Sequence, residues 1–113
     1  TVLTDVRPGM AVFDEETFGP VAAVIVAKND EEAVQLANST PFGLSVSVWS
    51  RSNERALKVA KCITSGAAFI NAMTASDARV PFGGTKKSGY GRELAAAGMR
   101  EFCNTRTYWS VAP

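Results

Sequence analysis

The sequence predicts an α/β fold with a mainly parallel sheet and crossover helices, and three observations predict it. Residues 21–27, Val-Ala-Ala-Val-Ile-Val-Ala, form a short continuous apolar run that suits a strand covered on both faces. Residues 44–50, Leu-Ser-Val-Ser-Val-Trp-Ser, alternate apolar and small polar side chains with the two-residue period of a strand. Two runs with helical spacing, 31–39 and about 54–63, interleave with these strands through short connections. Strand, helix, strand, helix, strand in that order implies parallel neighbours joined by right-handed crossovers.

From the N-terminus, residues 1–6 mix β-branched and polar types, and Pro8-Gly9 breaks them, which predicts a short strand ending in a turn. Residues 10–13 resume an extended course. Asp14, Glu15 and Glu16 then interrupt it and read as a solvated acidic turn, although a carboxylate there also suits the acceptance of hydrogen bonds from vicinal ribose hydroxyls. After the 21–27 strand, Asn29-Asp30 offers an N-cap to the first long helix, whose apolar stripe is Ala33, Val34, Leu36 and Ala37. Pro41-Phe42-Gly43 closes that unit with a turn. Ser52 or Asn53 caps the next helix, which carries Ala56, Leu57, Val59, Ala60 and Ile63 inward and Arg55, Lys58 and Lys61 outward. Gly66 stops it, and residues 67–71 make a third strand. A last helix is expected within 92–102, weakened by Gly98, and a terminal strand over 103–111, rich in Thr, Tyr, Trp and Val.

Between the third strand and the last helix runs Pro81-Phe82-Gly83-Gly84-Thr85-Lys86-Lys87-Ser88-Gly89-Tyr90-Gly91-Arg92-Glu93-Leu94, which holds four of the nine glycines. Such glycine density is costly in backbone entropy and marks an ordered loop rather than the interior of an element. Two phosphate-loop readings fail on spacing. Gly84 and Gly89 stand five apart as in a Walker A loop, but Tyr90 and Gly91 occupy the places of the Lys and Ser or Thr that reach phosphate and magnesium. Gly89-Tyr90-Gly91 begins a G-x-G, but Leu94 stands where a Rossmann fingerprint needs its third glycine. The glycines are expected to permit tight turns, Lys86 and Lys87 to be surface charges, and Arg92 and Glu93 to cap or pair at the start of the last helix.

Composition narrows the function classes. At 113 residues the chain suits one domain that buries roughly two-thirds of its unfolded surface. A formal net charge of +1, with no aromatic and basic stripe, argues against a nucleic-acid binder. The longest apolar run is far too short to cross a bilayer, and no signal-like segment follows Thr1, so a soluble, cytoplasmic protein without membrane contact is expected. The absence of an initiating Met fits a piece of a longer chain as well as a mature protein. Cys62 and Cys103 have no CxxC partner, and the chain contains no histidine, so a zinc site is not expected and both cysteines read as free thiols with packing or incidental roles.

The motifs Glu15-Glu16-Thr17-Phe18-Gly19-Pro20, Pro41-Phe42-Gly43-Leu44, Phe69-Ile70-Asn71, Pro81-Phe82-Gly83-Gly84 and Ser88-Gly89-Tyr90-Gly91-Arg92-Glu93 occur in one order. In that order they closely resemble the C-terminal part of the NAD(P)-dependent aldehyde dehydrogenase superfamily, and the run 71–102 is most similar to its bacterial succinate-semialdehyde dehydrogenase branch. The resemblance implies that residues 1–103 are the C-terminal portion of the catalytic domain and that residues 104–113 are an oligomerisation strand pairing across subunits of a homodimer or tetramer. It implies oxidation of an aldehyde, succinate semialdehyde in that branch, with NAD or NADP as cofactor. Glu16 matches the glutamate that grips the nicotinamide ribose, and Phe18 the aromatic beside the nicotinamide. Phe82 matches the aromatic lining the substrate channel near the reacting carbonyl. Ser76, six residues earlier, falls where the distal end of the aldehyde is faced. Small polar groups there suit a carboxylated aldehyde, whose buried carboxylate needs hydrogen bonds or a counter-charge. Arg79 is the nearest cation in sequence, although by residue type it reads as a solvated loop charge.

The family's reaction uses a cysteine thiolate as nucleophile and a carboxylate base for thioester hydrolysis. Neither Cys62 nor Cys103 stands in the family's Gly-Gln-x-Cys setting, and the glutamate base motif and the pyrophosphate-binding turn are also missing. No catalytic residue is therefore expected in this chain, which should be inactive alone. The alternative is a stand-alone, non-catalytic α/β nucleotide-binding or dimerisation module, which the domain-like length favours.

Overall fold

Short apolar and alternating runs separated by capped helices give an α/β chain in the computed structural model, which describes residues 1–113. The elements run β1 (Val2–Leu3), α1 (Ala11–Asp14), β2 (Ala22–Ala23), α2 (Asp30–Asn38), β3 (Phe42–Gly43), β4 (Ser45–Val48), α3 (Asn53–Lys61), β5 (Ala67–Ile70), β6 (Thr85–Lys86) and α4 (Ala95–Arg100). Two of the three strand pairs are parallel, β1 with β2 and β4 with β5, and β3 pairs antiparallel with β6.

The best-formed unit is the crossover β4-α3-β5, in register from Ser45 opposite Ala67 to Val48 opposite Ile70. Its helix starts where expected: the Ser52 hydroxyl accepts from the Arg55 N–H at 3.2 Å and satisfies one orphan donor of the first turn. Ala56 and Ala60, one turn apart on one face, are 0% and 5% exposed. Their small side chains let α3 lie close against the strand pair. Helix α2 is capped likewise, with the Asn29 side chain accepting from Glu32 N at 2.8 Å while the Glu32 carboxylate accepts from Lys28 N at 2.6 Å. A bidentate pair from Arg55 to Asp30, at 2.9 and 2.6 Å, ties the start of α3 to the start of α2. That hydrogen-bonded guanidinium holds the Asp30 carboxyl below its ordinary value.

Several expectations need correction. Residues 10–13 are not extended: the Pro8-Gly9 turn, with Gly9 at φ 92°, leads into α1, and Phe13 N and Asp14 N both donate to the Met10 carbonyl. A preformed turn offers those residues local partners, whereas no neighbouring strand does. The 21–27 strand shrinks to Ala22–Ala23, because its partner β1 is two residues long and the ladder ends with Val24 N donating to Leu3 O. Nor is it covered on both faces, since Val24 and Val26 are exposed. Pro41-Phe42-Gly43 is not merely a turn but delivers β3. No strand forms over 103–111; past the Cys103 N–H that closes α4 the backbone finds no partner, and Tyr108 and Trp109 stand in solvent. Cys62 and Cys103 are free thiols as expected, and because both are exposed the packing role falls away and the incidental one remains.

The expected self-contained core is also absent. Only 6 of 113 residues are buried, and no large side chain is completely so. The radius of gyration is 18.4 Å, against about 13 Å for a compact domain of this length.

Candidate functional site

The glycine-rich stretch 81–94 organises the site because its backbone is anchored at three places. At its neck, Phe82 and Glu93 exchange backbone hydrogen bonds of 2.9 and 2.8 Å in an antiparallel bridge. At its middle, β6 pairs with β3, and the Ser88 hydroxyl accepts from Gly43 N at 2.9 Å. At its side, Lys86 Nζ donates to the carbonyls of Asn38 and Thr40 at 3.0 and 3.1 Å, which places a cation at the C-terminal end of α2. Gly89 and Gly91 do take positive φ in turns, but Gly83 and Gly84 serve a different need: the loop backbone touches its neighbours. A Cβ on Gly66, at the foot of β5, would overlap the Gly83 carbonyl.

Against this scaffold lies an open groove of about 620 Å³ between the end of α2 and the loop, with Glu16, Thr40, Phe42, Lys87 and Ser88 among its lining residues. Glu16 lines that groove and makes no ion pair or side-chain hydrogen bond, so its carboxylate is an unengaged acceptor. A free carboxylate at the edge of a groove of this size fits the vicinal hydroxyls of a dinucleotide's ribose. Phe18, two residues on, is 88% exposed and lines none of the principal grooves.

Phe82 lines an adjoining groove of about 450 Å³ together with Leu44, Tyr90, Arg92 and Glu101. Leu44 and Ser88 belong to both grooves, so the Glu16 and Phe82 sides are neighbours across these two residues. Ser76 and Arg79 lie outside both, on the exposed run from Asn71 towards Pro81. That run is pinned at its start. Asn71, at φ 51°, accepts from Ser50 N and donates to Ser50 O and Asn53 Oδ1, and Thr74 shares a 2.8 Å hydroxyl contact with Ser45.

Arg79 is not an unengaged cation. Its Nε and Nη2 donate to the two oxygens of Asp77 at 2.9 and 2.6 Å. The same hydrogen bonds hold the Asp77 carboxyl below its ordinary value. The fork that would meet a substrate carboxylate is taken up within the loop.

Sequence reasoning missed two supports. Lys86 is exposed, as a surface charge should be, and is also a helix-end donor, a role readable only once β6 is known to pass the end of α2. Arg92 neither caps nor pairs at the start of α4; its Nη1 donates to the carbonyls of Gly84 and Gly91.

The chain belongs to the aldehyde dehydrogenase family, whose model matches residues 1–108. Among individual relatives, it is 51% identical over 109 residues to succinate-semialdehyde dehydrogenase [NADP(+)] 1 of Mycobacterium tuberculosis, covering 96% of this chain and 24% of that protein. Identity and coverage are the same against the succinate semialdehyde dehydrogenase [NAD(P)+] of Escherichia coli. Among solved structures, the betaine aldehyde dehydrogenase of Staphylococcus aureus in complex with NAD+ superposes with a TM-score of 0.86 at 39% identity, over 89% of this chain and 20% of that one. The chain thus spans about a quarter of the length of the curated relatives it matches.

Proposed function

We propose that this chain works as part of a longer oxidoreductase that oxidises succinate semialdehyde to succinate with reduction of NAD or NADP. The observation that carries the substrate is the 51% identity, across nearly the whole chain, to relatives named for that aldehyde. The bound coenzyme supplies the hydride acceptor. In this chain Glu16 accepts hydrogen bonds from the nicotinamide ribose, and Phe18 lies beside the ring. Phe82 forms one wall of the aldehyde channel, and Ser76 donates to the distal carboxylate of the substrate. Arg79 contributes to that carboxylate only when it leaves Asp77.

The nucleophile and the base belong to the remaining three-quarters of the protein, because Cys62 at the end of α3 and Cys103 beyond α4 lie on opposite sides of the loop in sequence and line neither the Glu16 nor the Phe82 groove. Alone, the chain is inactive. Residues 104–113 gain the edge they lack by pairing with another subunit, which gives a dimer or tetramer. Two free, exposed thiols suit the reducing cytoplasm, and no helix is long and apolar enough to cross a membrane. A stand-alone module is disfavoured by the extended shape and the sparse burial.

The test is steady-state kinetics on the full protein with two substitutions. Glu16→Gln is expected to raise the coenzyme KM about tenfold with little change in the aldehyde KM. Ser76→Phe should depress kcat/KM for succinate semialdehyde far more than for an uncharged aliphatic aldehyde of similar length. Unchanged turnover of succinate semialdehyde in Ser76→Phe would remove the substrate assignment.

A further inference from the structure

The Phe82 ring is held on a short loop, and the structure shows what fixes that loop. The Arg92 side chain crosses its neck, with Nη1 donating to Gly84 O at 2.8 Å and to Gly91 O at 2.6 Å. It forms no ion pair, so these carbonyls are its engagement. Beside this clamp runs the two-bond bridge between Phe82 and Glu93. The approach depends on glycine: a Cβ on Gly83 would stand 2.6 Å from the Gly91 carbonyl and 3.0 Å from Arg92 Cδ. Phe82 and Arg92 also line the same groove.

We propose that Arg92 is a positioning residue for the aldehyde channel: by drawing Gly84 and Gly91 together it locks the Phe82–Glu93 bridge and sets where the Phe82 ring stands. The inference rests on Phe82 being a wall of that channel. One nitrogen, Nη1, reaches both carbonyls and is held on the rigid guanidinium plane, whereas a lysine ammonium is a flexible point donor on a shorter stem. Arg92→Lys should therefore keep part of the effect and Arg92→Met none of it.

The experiment uses the full protein with Arg92→Met, Arg92→Lys, Phe82→Ala and the Arg92→Met/Phe82→Ala double variant. Amide hydrogen exchange at Phe82 and Glu93 is expected to quicken about tenfold in Arg92→Met, with Arg92→Lys between it and the parent, while exchange in β4 and β5 stays unchanged. The aldehyde KM should rise about tenfold in Arg92→Met with the coenzyme KM within about twofold, and adding Phe82→Ala should cost no more than the larger single effect. Unchanged exchange at the bridge in Arg92→Met overturns the positioning role. So do additive kinetic effects of the two substitutions. If exchange quickens but Phe82→Ala leaves aldehyde kinetics untouched, the channel reading of Phe82 fails and with it the role of Arg92 in that channel, whereas the Glu16 coenzyme reading is unaffected.

Discussion

Residues 42–98 and residues 1–27 both contain apolar runs, yet five of the six buried positions lie in the first stretch and only Val6 in the second. The middle region buries itself because a complete crossover is present, two strands in register with a helix laid over them through Ala56 and Ala60. In the N-terminal region the equivalent run 21–27 meets a two-residue partner strand, and none of its residues is buried. The 103–113 tail repeats the lesson, with aromatic side chains and no partner edge. Hydrophobic pattern states which surfaces want cover; only the rest of the fold supplies it. Whether such an exposed apolar run is covered in a longer protein is what substitution there can test.

That contrast can be broken or sharpened by substitution, beginning with the largest effect. In the middle region, Gly66→Ala sets a methyl against the Gly83 carbonyl. It should destabilise the full protein by about 3 kcal/mol or prevent folding, read by thermal or denaturant unfolding. In the N-terminal region, Val26→Asp changes a side chain that is 89% exposed in this chain. If that surface is covered in the full protein, the change should cost about 2 kcal/mol there. A neutral result would make the N-terminal run a true surface.

At the exit of β5, Asn71→Ala removes three hydrogen bonds and places alanine at φ 51°. A loss of about 1–2 kcal/mol is expected, and Asn71→Gly should recover the conformational part of it.

The smallest effect concerns the exposed pair that joins the two long helices. Arg55 lowers the folded-state pKa of Asp30 from 3.8. The pair therefore stabilises the folded state above that pH and the contribution fades as pH falls below it. Asp30→Asn should flatten the acid limb of the stability profile below about pH 4, and added salt should do the same. An identical acid limb in parent and variant would show the pair to be silent.

Much of the middle region is legible in the sequence. Asn29 and Ser52 mark two helix starts through side chains that accept from a backbone N–H three residues on, and the alternation after Leu44 marks β4. What is not legible depends on partners distant in sequence. The β3–β6 pairing joins two-residue strands, Phe42–Gly43 and Thr85–Lys86, that carry no periodicity of their own. The helical turn at Ala11–Asp14 follows from the turn before it and overrides the strand preference of Val12 and Phe13. For the site, motif order identifies the family, and residue type gives Glu16 a carboxylate whose surroundings keep it unpaired. Nothing in the sequence tells that Asp77 takes up the Arg79 fork, or that Arg92 reaches back to Gly84, because both depend on loop geometry.

The most direct test of the account compares two preparations in one assay: the 113-residue chain and the full protein that contains it, each given succinate semialdehyde and NAD+ or NADP+, with reduced coenzyme followed by absorbance. Aldehyde-dependent reduction is expected from the full protein and none from the chain alone. Reduction by the isolated chain would contradict the placement of the nucleophile outside it. A full protein that fails on this aldehyde with both coenzymes would contradict the proposed function.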